Sequence, residues 1–198
     1  MRVDLPEGEY GGVSVERFIV TENDRIRQLG DILRGRECPP GTYTRLMERG
    51  RVWMSDTPAE IRDHIGPWVE ARQRGGRVLV NGLGLGCIVN ALLALDSVEH
   101  IDVVEYDHRV IKLVAPTYEA SGRVTVHYAD AYEQCKAWPK GSHWDIAWHD
   151  IWPTLCEDNL PEMARLHRSY GRRVGWQGSW GKELLEYERR RTMDAWWR

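Results

Sequence analysis

The residues best suited to chemistry in this 198-residue chain are three glycines, Gly82, Gly84 and Gly86, and three acids, Glu105, Asp130 and Asp150. The glycines alternate between an apolar run, Val78-Leu79-Val80, and a segment from Ile88 to Leu95 with a helical apolar face. A strand that turns through glycine into a helix brings backbone N–H groups and the positive end of a helix dipole against a ligand. Glycine permits both the tight bend and the close approach. Glu105 ends the next apolar run, 19 residues after Gly86. A carboxylate there is costly unless it accepts hydrogen bonds, and its two oxygens match the vicinal hydroxyls of a ribose. The competing role, capping the next helix, already has an occupant in Asp107. Asp130 precedes a short helix beginning at Ala131. It reads as an N-cap alone, or as a cap whose position at the lip of a crevice also meets an adenine amino group. Asp150 follows the run Trp144 to His149. It reads as a proton-accepting or ammonium-binding group, or as a partner for loop backbone. By strand alternation His149 points to the opposite face and reads as a packed core residue.

The elements that must position these residues alternate strand with helix from Arg77 onward, which argues for a parallel sheet covered on both faces. Strands are expected from Val78, over Ile101–Glu105, Val124–Tyr128 and Trp144–His149, and weakly over Arg173–Gln177. Helices are expected after Gly86, from Asp107 through Ala115, over Ala131–Ala137, about Asp158–Ser169 and Lys182–Trp197. In such a sheet the ligand lies beyond the carboxyl ends of the strands at the switch point, where the glycine turn, Glu105, Asp130 and Asp150 all fall. Upstream, residues 1 to about 11 read as a loose lead-in and Val13–Val20 as a strand. Thr21 caps a helix to about Leu33, ended by Gly35. Tyr43–Glu48 and Arg51–Ser55 form a hairpin around Arg49-Gly50. Thr57-Pro58-Ala59-Glu60 has the form of a capping box with proline at N1. It opens a helix with Ile61, His64, Ile65, Trp68 and Val69 on one face, kinked or split by Pro67. The expected division is an N-terminal β-rich appendage with one helix, residues 1–56, and a Rossmann-like domain, residues 57–198.

Composition excludes some functions. A net charge of −3 supplies no global basic field for nucleic acid. No apolar run approaches the roughly 20 residues of a membrane span, and Met1 to Pro6 lacks the apolar core of a signal peptide. The four cysteines show no C-x-x-C pair and read as thiols of a reducing compartment, the cytoplasm. Ten tryptophans against one phenylalanine make indole the main aromatic surface. Trp148, Trp152 and Trp176 read as core filling or as walls of an acceptor pocket.

Dinucleotide folds use G-x-G-x-x-G, whereas here the glycines run G-x-G-x-G. With an acid ending the second strand and Asp130-Ala131 after the third, the chain resembles class I S-adenosyl-L-methionine (SAM)-dependent methyltransferases between about Thr44 and Pro153. Within that superfamily it is most similar in layout to the spermidine synthase group. The carrying segments are Val78 to Gly86, Val103-Val104-Glu105-Tyr106-Asp107 with Val110-Ile111, Asp130-Ala131, and Asp145 to Pro153. The hairpin leading into Met54-Ser55-Asp56-Thr57, with Glu60 and His64, is similar to that group's N-terminal segment and first helix. The resemblance implies a sheet of about five strands in the order 3-2-1-4-5, with the cofactor across the glycine turn. Gly82, Gly84 and Gly86 would face its methionine and ribose portion, Glu105 would hold the ribose, and Asp130 with Ala131 the adenine. Asp150 would be the acid that prepares the nucleophile. Two departures count against a diamine substrate: Leu85 and Trp152 stand where spermidine synthases carry acids. Val80, where most methyltransferases place an acid, follows the spermidine synthase pattern. Only 21 residues follow Gln177, so the usual sixth and seventh strands are expected to be missing and the substrate wall there cut down or supplied by another chain. The oligomeric state stays open, a homodimer included.

Four functions follow in order. The first is a SAM-dependent methyltransferase of a small-molecule acceptor, with Asp150 as proton acceptor or orienter. The second is an aminopropyltransferase using decarboxylated SAM. The third is a SAM- or nucleotide-binding protein without catalysis. The fourth is a nucleic-acid methyltransferase using the late arginines with Trp196 and Trp197, against which Glu183, Glu186 and Glu188 stand as ordinary helix partners.

Overall fold

The computed structural model describes residues 1–27 and 36–196. The N-terminal part is an antiparallel sheet, β1 (Gly8–Tyr10), β2 (Val13–Val20), β3 (Gly41–Glu48) and β4 (Arg51–Ser55), in the order β1-β2-β3-β4. Between β2 and β3 lies α1 (Glu22–Arg27). The rest of the helix expected to about Leu33, with Gly35 as its stop, lies outside the described residues. The β3–β4 turn has positive φ at both central residues, 47° at Arg49 and 80° at Gly50. That is the condition for a two-residue hairpin whose twist matches its strands.

Downstream come α2 (Pro58–Asp63), α3 (Ile65–Arg74), β5 (Gly76–Asn81), α4 (Cys87–Leu93), β6 (Val98–Glu105), α5 (His108–Glu119) and β7 (Val124–Tyr128). They are followed by α6 (Ala131–Ala137), β8 (Trp144–His149), α7 (Asn159–Tyr170), β9 (Val174–Ser179) and α8 (Lys182–Trp196). The second sheet is parallel throughout, in the order β7-β6-β5-β8-β9. Numbered along the chain this is 3-2-1-4-5, as expected. The central strand β5 is buried on both faces from Val78 to Asn81, which is why it reads as an unbroken apolar run rather than an alternating one. Val78, Val80 and Trp148 face one core with Ile88 and Val114. Leu79, Trp144 and Ala147 face another with Met163, Leu166 and Tyr170.

Three local expectations are corrected. The lead-in is not loose: Val3 and Leu5 are buried in the same core as Val13, Val15, Leu46 and Val80, and Gly8–Tyr10 pairs with β2. The Asp56 carboxylate accepts the Val3 N–H at 3.1 Å and the Thr44 N–H at 2.7 Å, tying the first residues to the hairpin. Thr57 stands at the N-cap, but its side chain makes no cap bond. Glu60 instead reaches back to the Ser55 N–H at 2.6 Å and Ser55 Oγ at 2.9 Å, because the hairpin's end competes for the same carboxylate. The helix splits at His64, not at Pro67. Proline lacks an N–H and crowds the carbonyl four residues earlier, so the break falls one turn upstream. It turns Ile65 outward to 46% exposure.

Among the described residues no helix is long and apolar enough to cross a membrane. Asp102 on β6 is buried and accepts from Arg77 (2.9 Å), His127 Nε2 (3.0 Å) and Trp144 Nε1 (2.8 Å). Burial alone would raise its carboxyl, but the bonds from His127, Trp144 and Arg77 outweigh it and hold it at about 2, below the ordinary 3.8. A depressed folded value means that the stability it adds is complete above the unfolded value and is lost as pH falls through the folded one. Urea unfolding between pH 4 and pH 2 is expected to reveal a loss of about 2 kcal/mol from this group. Asp102→Asn is expected to be less stable at pH 7 and flatter across that window.

Candidate active site

At the end of β5 the chain turns through Gly82, Gly84 and Gly86 with φ of 97°, 49° and 72°. A Cβ on each would meet protein: the Asp150 carbonyl beside Gly82, the Met54 thioether beside Gly84 and the Tyr118 ring beside Gly86. The glycines thus let β8, β4 and α5 close on the turn. Tyr118 donates to the Leu85 carbonyl at 2.7 Å, and the Leu85 N–H reaches Met54 Sδ at 3.1 Å. Other N–H groups of the turn are also taken. Gly82 donates to the Val104 carbonyl (2.8 Å), Leu83 to Glu105 Oε2 (2.8 Å) and Gly86 to the Leu83 carbonyl (2.7 Å). The bare N–H groups expected of this turn are therefore largely satisfied by the protein itself.

Glu105 is 7% exposed, with Oε2 on the Leu83 N–H and Oε1 on the Asp107 N–H at 2.8 Å. Burial pushes its carboxyl up, opposed by the backbone bonds from Asp107, Leu83 and Tyr106. Each oxygen keeps acceptor capacity beyond its one backbone donor. Asp107 caps α5, accepting from the Arg109 N–H at 2.8 Å, so the cap and the neighbouring carboxylate have separate tasks. Asp130 caps α6, with Oδ1 accepting from Tyr132 and Glu133.

Beyond the carboxyl ends of the parallel strands lies a cleft of about 530 Å³ lined by Gly82, Gly84, Glu105, Asp130, Ala131 and Asp150 together. Of the residues singled out in sequence, Gly86 is not on its wall; it is buried beneath Tyr118. Leu85 is also turned away, wholly buried in the core, and Leu83 lines the cleft in its place. Trp152 lines the cleft with its Nε1–H on Glu162 (2.9 Å), whereas Trp148 is core and Trp176 packs against it. His149 is fully buried, donating toward Gln177 and accepting from Asn81 Nδ2 at 2.7 Å. Burial lowers its ring to about 3, so it stays neutral and structural.

The cleft also holds groups to which the sequence reading gave no site role: His64, Asp63, Arg36, Trp53, Met54 and Trp180. His64 Nε2 lies 3.3 Å from Asp150 Oδ2, and its Nδ1 lies 2.9 Å from the Glu60 carbonyl. Burial opposes a charge on this ring, but the hydrogen bond and charge of Asp150, aided by the Glu60 carbonyl, lift it above the ordinary histidine value. Asp63 pairs with Arg36 at 3.2 Å and accepts Trp180 Nε1–H at 3.2 Å. The one sequence signal for this side was Glu60 and His64 at i, i+4 after the hairpin, a spacing that puts both on one helix face. Nothing local marks Met54 or Trp180.

A parallel sheet in this order, with a glycine turn after its central strand and an acid ending the neighbouring one, is a class I methyltransferase-like Rossmann fold. No protein-family description and no curated protein matches the sequence. Similar solved structures include a methyltransferase from Geobacter sulfurreducens, 17% identical over 56% of this chain and 54% of that one, with a TM-score of 0.41. Spermidine synthase from Thermotoga maritima is 16% identical over 86% and 52%, with a TM-score of 0.48. Precorrin 8W decarboxylase from Methanobacterium thermoautotrophicum is 19% identical over 53% and 54%, with a TM-score of 0.40. The chain spans about half the length of each of these, and at such scores the likeness adds nothing about activity.

Glu105→Ala leaves the Leu83 and Asp107 N–H groups without their acceptor. At about 1–3 kcal/mol per orphaned buried donor, denaturant unfolding is expected to show a loss of roughly 2–6 kcal/mol. Glu105→Gln retains one acceptor oxygen and is expected to lose less.

Proposed function

We propose that this chain is a SAM-dependent methyltransferase acting on a small-molecule acceptor. The observation that carries the reading is the convergence of Gly82, Gly84, Glu105, Asp130, Ala131 and Asp150 on one cleft of about 530 Å³. That volume lies in the ordinary range for cofactor and small-molecule sites. The hydrogen-bond acceptors fit a nucleoside. Glu105 keeps acceptor capacity on both oxygens for a diol, and Asp130, capping with Oδ1, stands with Ala131 where an adenine edge would lie. When bound, SAM supplies an electrophilic methyl carbon on a sulfonium. The protein's work is alignment: the turn and Glu105 hold the nucleoside, and Asp150 accepts a hydrogen bond from the acceptor's N–H or O–H and orients its lone pair. The cytoplasm remains the expected location, consistent with thiols rather than disulfides at Cys87, Cys135 and Cys156.

Aminopropyl transfer from decarboxylated SAM is the second reading. Glu60, Asp63 and Asp150 share the cleft, and carboxylates suit an ammonium acceptor. Against it, each already has a partner in Ser55, Arg36 or His64, and Trp152 is apolar where that chemistry needs charge.

Calorimetric titration with SAM, decarboxylated SAM and S-adenosylhomocysteine separates the readings. SAM and S-adenosylhomocysteine are expected to bind, and Glu105→Gln to weaken both by about tenfold or more, which is about 1.4 kcal/mol. No binding of any of the three sinks the cofactor assignment. A clear preference for the decarboxylated form moves the assignment to aminopropyl transfer. Binding without turnover across acceptor classes leaves a non-catalytic binding protein.

A further inference from the structure

His64 is 4% exposed and sits in the break between α2 and α3, facing the cleft. Its two ring nitrogens meet different partners. The Glu60 carbonyl, 2.9 Å from Nδ1, can only accept, so Nδ1 carries a proton. In a neutral ring Nε2 would then present a lone pair to Asp150 Oδ2 at 3.3 Å. Two acceptors facing each other repel, the more so because the His64 ring is buried, although the Asp150 side chain is 23% exposed to the cleft. A proton on Nε2 turns the contact into an attraction between opposite charges.

We propose that His64 is a positioning residue for Asp150: the protonated ring pairs through Nε2 with Asp150 Oδ2, 3.3 Å away, and this ion pair holds the Asp150 carboxylate at the acceptor end of the cleft. The inference rests on the transferase reading only for what Asp150 orients; the ion pair itself does not depend on it. The break in the helix gives the pairing its geometry. Pro67 cannot continue the hydrogen-bond ladder, and at the resulting break the His64 N–H turns back to the Arg62 and Ile61 carbonyls. The ring is thereby held between its own helix and the end of β8.

The titratable groups around the ring come from every side. Glu60 and Asp63 lie on its own helix, Asp150 at the end of β8, and Arg36 neutralises Asp63 at 3.2 Å. Glu60 is buried and its carboxyl raised by that burial, against the bonds from Ser55. Cys87, on the turn side of the cleft, keeps its proton because burial pushes its thiol up. The ring of Trp148 closes one side, its centroid 6.3 Å away. Asp150 is therefore the group in direct polar contact with Nε2, and its loss is what the ring would register. A histidine raised in the folded state contributes stability that is complete below the unfolded value near 6.5 and is lost as pH rises through the folded value.

The test is long-range 1H–15N correlation NMR on histidine-labelled protein, titrated between pH 5 and 9 without cofactor or acceptor. His64 is expected to titrate with a midpoint above the ordinary 6.5, with both ring nitrogens protonated below that midpoint. In Asp150→Asn the midpoint is expected to fall by at least about one pH unit, leaving the neutral ring with its proton on Nδ1. A midpoint at or below 6.5 in the unaltered protein overturns the proposal and needs no variant to be seen. An unchanged midpoint in folded Asp150→Asn overturns it as well. Failure of SAM to bind, with the paired titration intact, removes the transferase reading and leaves the ion pair standing.

Discussion

The arrangement of this protein depends on one buried carboxylate. Glu105 closes an apolar strand where an unpaired charge would be costly, and its need for donors is met by the N–H groups of Leu83 and Asp107. The first bond pins the glycine turn to the end of β6. The second fixes the start of α5. Once the turn is drawn toward β6, its path leaves no room for side chains beside Asp150, Met54 and Tyr118. The alternate glycines thus follow from packing as much as from ligand approach. A group suited to hold a ribose is also the group that builds the loop beneath it.

The N-terminal sheet belongs to the same construction. Met54 on its edge strand accepts from the Leu85 N–H. Arg109 on α5 bonds Asp107 (2.6 Å) and Glu48 on β3 (2.9 Å) and stacks over Trp53. Asn90 on α4 holds the Arg2 carbonyl at 2.7 Å. Val3, Leu5, Val13 and Leu46 share one core with Val78 and Val80. Residues before 57, among them Leu46, Val52, Trp53 and Met54, therefore form part of the cleft wall.

Carboxylates crowd the cleft, yet three of them have a cationic partner: Asp63 with Arg36, Asp107 with Arg109, which Glu48 shares, and Asp150 with His64. Such pairs keep the charge of a partly buried site local. The indoles behave similarly. Trp152 and Trp180 direct their N–H groups to Glu162 and Asp63, and that leaves ring surface as their remaining contribution to the cleft.

Sequence alone determined the strand–turn–helix around Val80, the acids ending successive strands, the alternation behind the 3-2-1-4-5 order and the core position of His149. Those features are written in near-neighbour patterns: unbroken apolar runs, glycine spacing and capping residues. Tertiary structure alone decided that Glu60 answers to Ser55 rather than to a capping box and that Val3 and Leu5 are core. It also decided that Gly86 lies under Tyr118, and that Met54 and His64 reach the turn and Asp150 from 31 and 86 residues away. These contacts depend on which elements meet when the two sheets pack. A hydrogen bond between residues so far apart leaves no periodicity for a single sequence to display.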